Sequence, residues 1–207
     1  MLETLVAVGP LFFLLVFSEL LWRARILRGE PARKLLHVII GSYVAVWPFF
    51  MTFAHIRWVC VAMLLGVIVS HKFHVFHAIN DVKRHTWGDI FYAVGLFLAA
   101  SLATAPWIFA LAVLHMSFAD GMAGLVGSAL GKKHQYTVLG SNKSVVGTVS
   151  FVVSSLIVLM VFKLNGGYNI SAQMLIAVPL LTATLENFGP RGTDNILVPL
   201  CIVLLFR

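Results

Sequence analysis

Between Ile90 and Ala119 the chain carries no Asp, Glu, Lys or Arg. As one helix that stretch would be about 45 Å long, well beyond the roughly 30 Å of hydrocarbon in a bilayer. Pro106 divides it, so it reads as two apolar helices that meet near Ala105-Pro106-Trp107. The pattern recurs along the chain. Residues 5–22 hold one charge, Glu19, and the runs 35–56, 144–162 and 164–185 hold none, with Gly166-Gly167 marking the break between the last two. The runs 58–70 and 196–206 are apolar but fall below the roughly 17 residues of a minimal span. The first can extend into the polar segment after it; the second is tilted or incomplete.

The expectation is an all-α, polytopic transmembrane helix bundle of seven or eight spans. It forms one domain over residues 1–207, because no long polar linker divides the chain. Composition agrees. Hydrophobic residues make up 60% of the chain and charged residues only 11%, against about 25% charged in soluble domains. The first apolar run has no basic flank before it and no small-residue cleavage site close behind it, so it reads as a retained helix. Cys60 and Cys201 lie in apolar runs and suggest neither a disulfide nor a zinc site.

Charge is distributed unevenly. With eight helices, Arg23, Arg25, Arg28, Arg33, Lys34, Lys72, Lys83, Arg84, Lys132, Lys133, Lys143 and Arg191 fall on one side, and Arg57, Lys163 and Arg207 on the other. Positive residues mark the cytoplasmic side. The expected location is therefore an integral multi-pass membrane protein with its polar loops on the cytoplasmic face, in the plasma membrane if the cell is prokaryotic. No nucleic-acid partner is expected, and the sequence does not settle an oligomeric state.

Four constellations stand on those loops. Asp120 lies in an apolar helix, where an acid is costly and usually functional. Asp120, Gly124, Gly127 and Gly131 fall within about 60° of one another on a helical wheel. They form either a small-residue packing stripe or a groove with a metal-holding carboxylate at its deep end. The loop 131–147 brings Lys132, Lys133 and Lys143 to a helix start that Ser144 or Asn142 can cap, an anion site if its amides are free. It is not a Walker A motif. Glu186 and Asp194 end on the same face as Asp120, and the three can hold Mg²⁺, which favours carboxylates together with substrate phosphates. Thr193, Asp194 or Asn195 can also cap the last helix. Glu30-Pro-Ala-Arg33-Lys34-x-x-His37 opens helix two and is either an anion site or a topology signal. His71, His74 and His77 spread around a helix and read as an interfacial segment rather than a metal site, and Asp89 reads as a helix cap.

The order Arg33-Lys34-x-x-His37, Gly88-Asp89, Ala119-Asp120-x6-Gly127-x3-Gly131-Lys132, Lys143-Ser144-x-x-Gly147-Thr148, Glu186, and Asp194-Asn195-x3-Pro199 resembles one family. It is the family of dolichol kinases, phytol kinases and CTP-dependent diacylglycerol kinases, related to the phosphatidate cytidylyltransferases. The resemblance runs from about residue 30 to residue 200. It departs at Val146, where family members often carry Glu. It implies phosphorylation of a membrane lipid alcohol (polyprenol, phytol-like isoprenoid alcohol or diacylglycerol) by a nucleoside triphosphate, CTP, with Mg²⁺ or another divalent cation. In that frame Asp120 is a metal ligand, and Glu186 or Asp194 is the second ligand or the base for the hydroxyl. Lys132, Lys143, Ser144 and Gly147 contact phosphate, Arg33 and Lys34 hold the outer phosphates, and His37, Gly124, Gly127, Gly131 and Asn195 complete the nucleotide site. Two alternatives stay open: a cytidylyltransferase that makes a CDP-lipid, and a small transporter with Asp120 as its substrate or proton site.

Overall fold

The computed structural model describes residues 2–73, 87–166, 168 and 170–207. His74, His77, Lys83 and Arg84 lie outside the described residues. The apolar runs fold as helices: α1 (Leu2–Arg23), α2 (Gly29–Val44), α3 (Phe53–Phe73), α4 (Gly88–Leu102), α5 (Pro106–Leu114), α6 (Asp120–Leu130), α7 (Val145–Gly166), α8 (Ala172–Phe188) and α9 (Asp194–Phe206). The architecture is all-α apart from one small hairpin.

Helix boundaries follow local chemistry. Ala105 is extended, as a residue before proline prefers, and Pro106 takes the first position of α5, where its missing N–H costs nothing. Helix α1 ends with Glu19 paired to Arg23 one turn on, at 3.1 Å. Pro10, Pro179 and Pro199 lie inside α1, α8 and α9, as apolar helices in a packed bundle tolerate.

Among the described residues, four helical segments are long and apolar enough to cross a membrane: Glu3–Arg23, Phe53–Phe73, Pro106–Lys133 and Val145–Asn165. Gly88–Leu102, Ala172–Phe188 and Asp194–Phe206 are shorter apolar helices. Two lengths differ from the sequence reading. The run 58–70 gains a turn at each end and reaches spanning length as α3. The run 35–56 is cut short, because α2 stops at Val44 and Pro48 starts a tight 3₁₀ turn, Trp47–Phe49.

Helices α5 and α6 are one rod, joined by a π-helical turn over His115–Ala119 that places Asp120 at its end. This rod is the centre of the bundle: 72% of its apolar window is buried, against 22–33% for the other three spanning segments. Phe109, Leu111 and Met116 are fully enclosed, while Phe12, Phe13, Leu65, Val149 and Leu164 point outward from α1, α3 and α7. That outer apolar coat is what lipid requires and water forbids.

The loop after α6 is not irregular. A 3₁₀ turn, Gly131–Lys133, leads into an antiparallel hairpin of β1 (Gln135–Val138) and β2 (Ser141–Ser144), with Tyr136 opposite Lys143. Leu139 and Gly140 both have positive φ, 46° and 76°, the geometry of a two-residue type I′ turn.

Candidate active site

Five segments converge at one end of the bundle around a cavity of about 860 Å³. They are the start of α2, the length of α6, the hairpin with the start of α7, the end of α8 and the start of α9. The closest approaches are made by residues without side chains. A methyl on Gly121 would collide with Val38, and one on Gly124 would lie 2.7–2.9 Å from Lys34 Cε, Cδ and Cγ. Helix α2 therefore packs tightly along α6, with its Lys34 side chain lying over Gly124. Ser144 packs over Gly127 and Gly131, and Gly147 meets the Ala123 carbonyl. The glycine stripe is thus largely filled by the protein's own side chains. Gly124 and Gly127 still line the cavity, whereas Gly131 is buried beneath Ser144.

Three carboxylates lie at the cavity floor. One oxygen each from Asp120, Glu186 and Asp194 lie within 4.8 Å of one another. Lys34 Nζ stands 2.5 Å from Asp120 Oδ2, and His37 Nε2 lies 3.3 Å from the same oxygen and 2.9 Å from the Met116 carbonyl. Lys143 donates to the Glu186 carboxylate and, at 3.0 Å, to the Glu186 carbonyl. Asp194 Oδ1 is buried without a hydrogen-bond partner among the described residues. Burial pulls the Lys143 ammonium pKa down, but the Glu186, Asp194 and Asp120 carboxylates outweigh it and hold the group above the ordinary lysine value. Lys143 is therefore a fixed cation on the hairpin.

The wall carries Arg28, Arg33, Lys34, Lys143 and Arg191 against Glu30, Asp120, Glu186 and Asp194, five cations to four acids. Arg33 is held by Glu30 at 2.6 Å. At the start of α7, Ser144 Oγ accepts from the Gly147 amide at 3.1 Å, so Ser144 is the cap, while Asn142 Oδ1 accepts from Thr137 instead. Asn195 donates to the Gly88 carbonyl at 2.8 Å and ties the start of α9 to α4, and Thr193 rather than Asp194 or Asn195 occupies the cap position of α9.

Of the residues that the sequence singled out, Arg33, Lys34, His37, Asp120, Gly124, Gly127, Lys143, Ser144, Gly147, Glu186, Asp194 and Asn195 all line this cavity. Lys132 does not: it sits exposed on the 3₁₀ turn. Asp89 lies inside the first turn of α4 and pairs with His71. Sequence reasoning overlooked Tyr136 and Asn187 and gave Thr148, which it quoted in the motif order, no role; the three hydrogen-bond to one another at the cavity, which Thr148 lines. Arg28 and Arg191, counted there among the basic residues of one side and given no role in the site, are both in the wall.

The three acids are of a kind to hold a divalent cation, and the cationic rim suits the phosphates that would accompany it. Mg²⁺ is held by one or a few carboxylates plus phosphate oxygens, and a buried carboxylate oxygen without a donor is suited to accept it. The chain resembles curated proteins along most of its length. It is 31% identical over 195 residues to a phytol kinase of Synechocystis sp., covering 91% of this chain and 83% of that protein. It is 25% identical over 224 residues to a probable chloroplastic phytol kinase 2 of Oryza sativa subsp. japonica, covering 97% of this chain and 73% of that one. No family model and no solved structure matches. A relative of this identity, aligned over nine-tenths of the chain, shows that the chain belongs to the phytol kinase family.

Proposed function

We propose that this protein is a membrane-embedded kinase that transfers the terminal phosphoryl group of a nucleoside triphosphate to the hydroxyl of an isoprenoid alcohol of the phytol class. The observation that carries the reading is the meeting of Asp120, Glu186 and Asp194 within 4.8 Å beneath Lys34 and Lys143. Phosphoryl transfer asks a protein mainly to position its reactants and to neutralise charge, and this cavity offers both. Asp120, Glu186 and Asp194 would hold Mg²⁺, which supplies charge neutralisation at the transferring phosphate. Lys34 and Lys143 lie where they can reach phosphate oxygens. At the start of α7 the Val145 and Gly147 amides are taken by the His134 carbonyl and Ser144 Oγ, so the phosphate contacts proposed there are side chains, with Arg33 at the rim for the outer phosphates. Glu186 or Asp194 would take the proton of the lipid hydroxyl.

The topology proposed with it is eight traverses: α1, α2, α3, α4, the α5–α6 rod, α7, α8 and α9, the shorter ones accommodated by local bilayer thinning. Alternating directions bring the start of α2, the end of α6, the hairpin, the end of α8 and the start of α9 to one face, which the basic residues make cytoplasmic. CTP is the donor proposed, on family resemblance.

The test is incubation of the purified protein, in lipid nanodiscs with Mg²⁺, with γ-labelled CTP or ATP and phytol, polyprenol or diacylglycerol. Labelled phytyl phosphate with CDP release is the expected product. With a lipid phosphate such as phosphatidate added as acceptor, pyrophosphate release with formation of a CDP-lipid would replace the kinase by a cytidylyltransferase. Label transfer from ATP alone would overturn the donor.

A further inference from the structure

Lys143 meets Glu186 from the hairpin, which is also docked on α8 and α7 through uncharged groups. Tyr136 stands directly across the ladder from Lys143. Its hydroxyl lies 2.5 Å from Asn187 Oδ1 and 2.5 Å from Thr148 Oγ1. Asn187 is itself fixed, because its amide nitrogen donates to the Ala183 carbonyl at 2.8 Å, one turn back on α8. That donation turns Oδ1 toward Tyr136, so the phenol donates to Asn187 and accepts from Thr148. The two facing residues of the hairpin thus bind two consecutive residues of α8: Tyr136 binds Asn187, and Lys143 binds Glu186. Thr148, on the first turn of α7, closes the triangle by accepting from Asn187 Nδ2 at 3.3 Å.

We infer that Tyr136 is a positioning residue, whose hydroxyl sets the register of the hairpin on α8 and thereby holds the Lys143 ammonium against Glu186. The ladder supports this directly. Neighbouring strands lie about 4.8 Å apart, so a shift at Tyr136 carries Lys143 with it. Without the clasp, the lysine has a four-carbon stem on a short two-stranded hairpin, which is marginally stable by itself. The role of Lys143 toward phosphate rests on the kinase reading; the geometric claim does not.

The experiment separates the two. Amine-reactive labelling of the intact protein in nanodiscs, read lysine by lysine by mass spectrometry, needs no activity. In Tyr136→Phe, which keeps the ring and removes only the hydroxyl, Lys143 should label roughly five- to tenfold faster, the range expected for losing a hydrogen bond of about 1 kcal/mol or somewhat more. Lys132 and Lys133, already exposed, and Lys163, at the far end of α7, should label as in wild type. Asn187→Ala removes the same clasp from the α8 side and should give the same pattern. In turnover, Tyr136→Phe should raise the nucleotide KM by a similar factor and leave the lipid KM unchanged. On a Lys143→Met background it should add nothing. Unchanged Lys143 labelling in both variants overturns the inference. So does faster labelling of Lys163 together with Lys143, which reports a lost fold rather than a released lysine. A wild-type protein that phosphorylates no lipid alcohol would remove the kinase reading and leave the labelling result standing.

Discussion

Lys34 and Asp120 are 86 positions apart in sequence, and the ammonium of one lies 2.5 Å from the carboxylate of the other. The lysine stem reaches that point by lying flat over Gly124, where any side chain would displace it. Both partners are buried, so the pair has given up its hydration. A buried ion pair of this kind contributes little net stability, but breaking it by removing one partner costs about 3–5 kcal/mol. The acid is therefore held charged in an apolar helix by a specific neighbour, and glycine is needed at position 124 to admit that neighbour.

Glycine substitutions should divide by what surrounds them. A methyl on Gly147 would lie 2.9 Å from the Ala123 carbonyl oxygen and 3.0 Å from Ser144 Oγ, so Gly147→Ala must part α7 from α6. A loss of about 1–3 kcal/mol is expected. Gly66 on α3 has nothing within 4 Å of such a methyl, and Gly66→Ala should be neutral or stabilising by up to about 1 kcal/mol. Thermal melting of the two variants checks this; equal destabilisation would mean that α6 and α7 are not in close contact.

The carboxylate cluster predicts metal dependence. Chelation should abolish lipid phosphorylation, and Mg²⁺ should restore it. Asp194→Asn should raise the Mg²⁺ concentration for half-maximal activity by roughly tenfold or more. Its Oδ1 already lacks a donor among the described residues, so the fold should lose little. A magnesium titration identical to wild type would remove Asp194 from the site.

Much of this was written in the sequence as interruptions of apolar runs. Pro106 starts a helix where proline belongs, and Asp120, Glu186 and Asp194 stand out because acids rarely follow such runs. The hairpin was hidden. Its strands, Gln135–Val138 and Ser141–Ser144, are short and polar, and its turn places Leu139 at a positive φ where Asn or Asp is the usual signal. The filled state of the glycine stripe was hidden too, since helical spacing puts Gly124, Gly127 and Gly131 on one face without saying that Lys34 and Ser144 lie against it. Tyr136, Thr148 and Asn187 belong to no charge pattern, and only tertiary contact brings them together.

Sidedness can be read directly. In a background with Cys60 and Cys201 replaced by Ala, single cysteines at Gln135 and Arg191 should react with an impermeant thiol reagent from the same side, and one at Lys163 from the opposite side. Gln135 and Arg191 both line the cavity, whereas Lys163 is in the last turn of α7. Labelling of Gln135→Cys and Arg191→Cys from opposite sides would contradict the single site.

Asp120 is the residue on which the catalytic reading turns, and its partner makes the decisive test a double substitution. Asp120→Asn alone leaves the Lys34 ammonium buried without its counter-charge, so activity and stability should fall together, the latter by about 3–5 kcal/mol. That result cannot tell a metal ligand from a counter-ion. Lys34→Met removes the stranded cation and keeps apolar bulk over Gly124. In that background Asp120 keeps His37 at 3.3 Å and the Glu186 and Asp194 carboxylates near it, and neutralising it should recover stability, since an intramembrane charge costs a few kcal/mol. If Asp120 serves only to neutralise Lys34, adding Asp120→Asn to Lys34→Met should leave phosphorylation unchanged or improve it. If Asp120 holds the metal, the addition should cost about a hundredfold or more in kcat at equal or higher melting temperature, the scale of losing a preorganised electrostatic contact at a reacting centre. The comparison is therefore Lys34→Met against Lys34→Met with Asp120→Asn, with lipid phosphorylation and melting measured on the same preparations. Activity within a few-fold between them would remove Asp120 from the metal site and leave Glu186 and Asp194 to hold it.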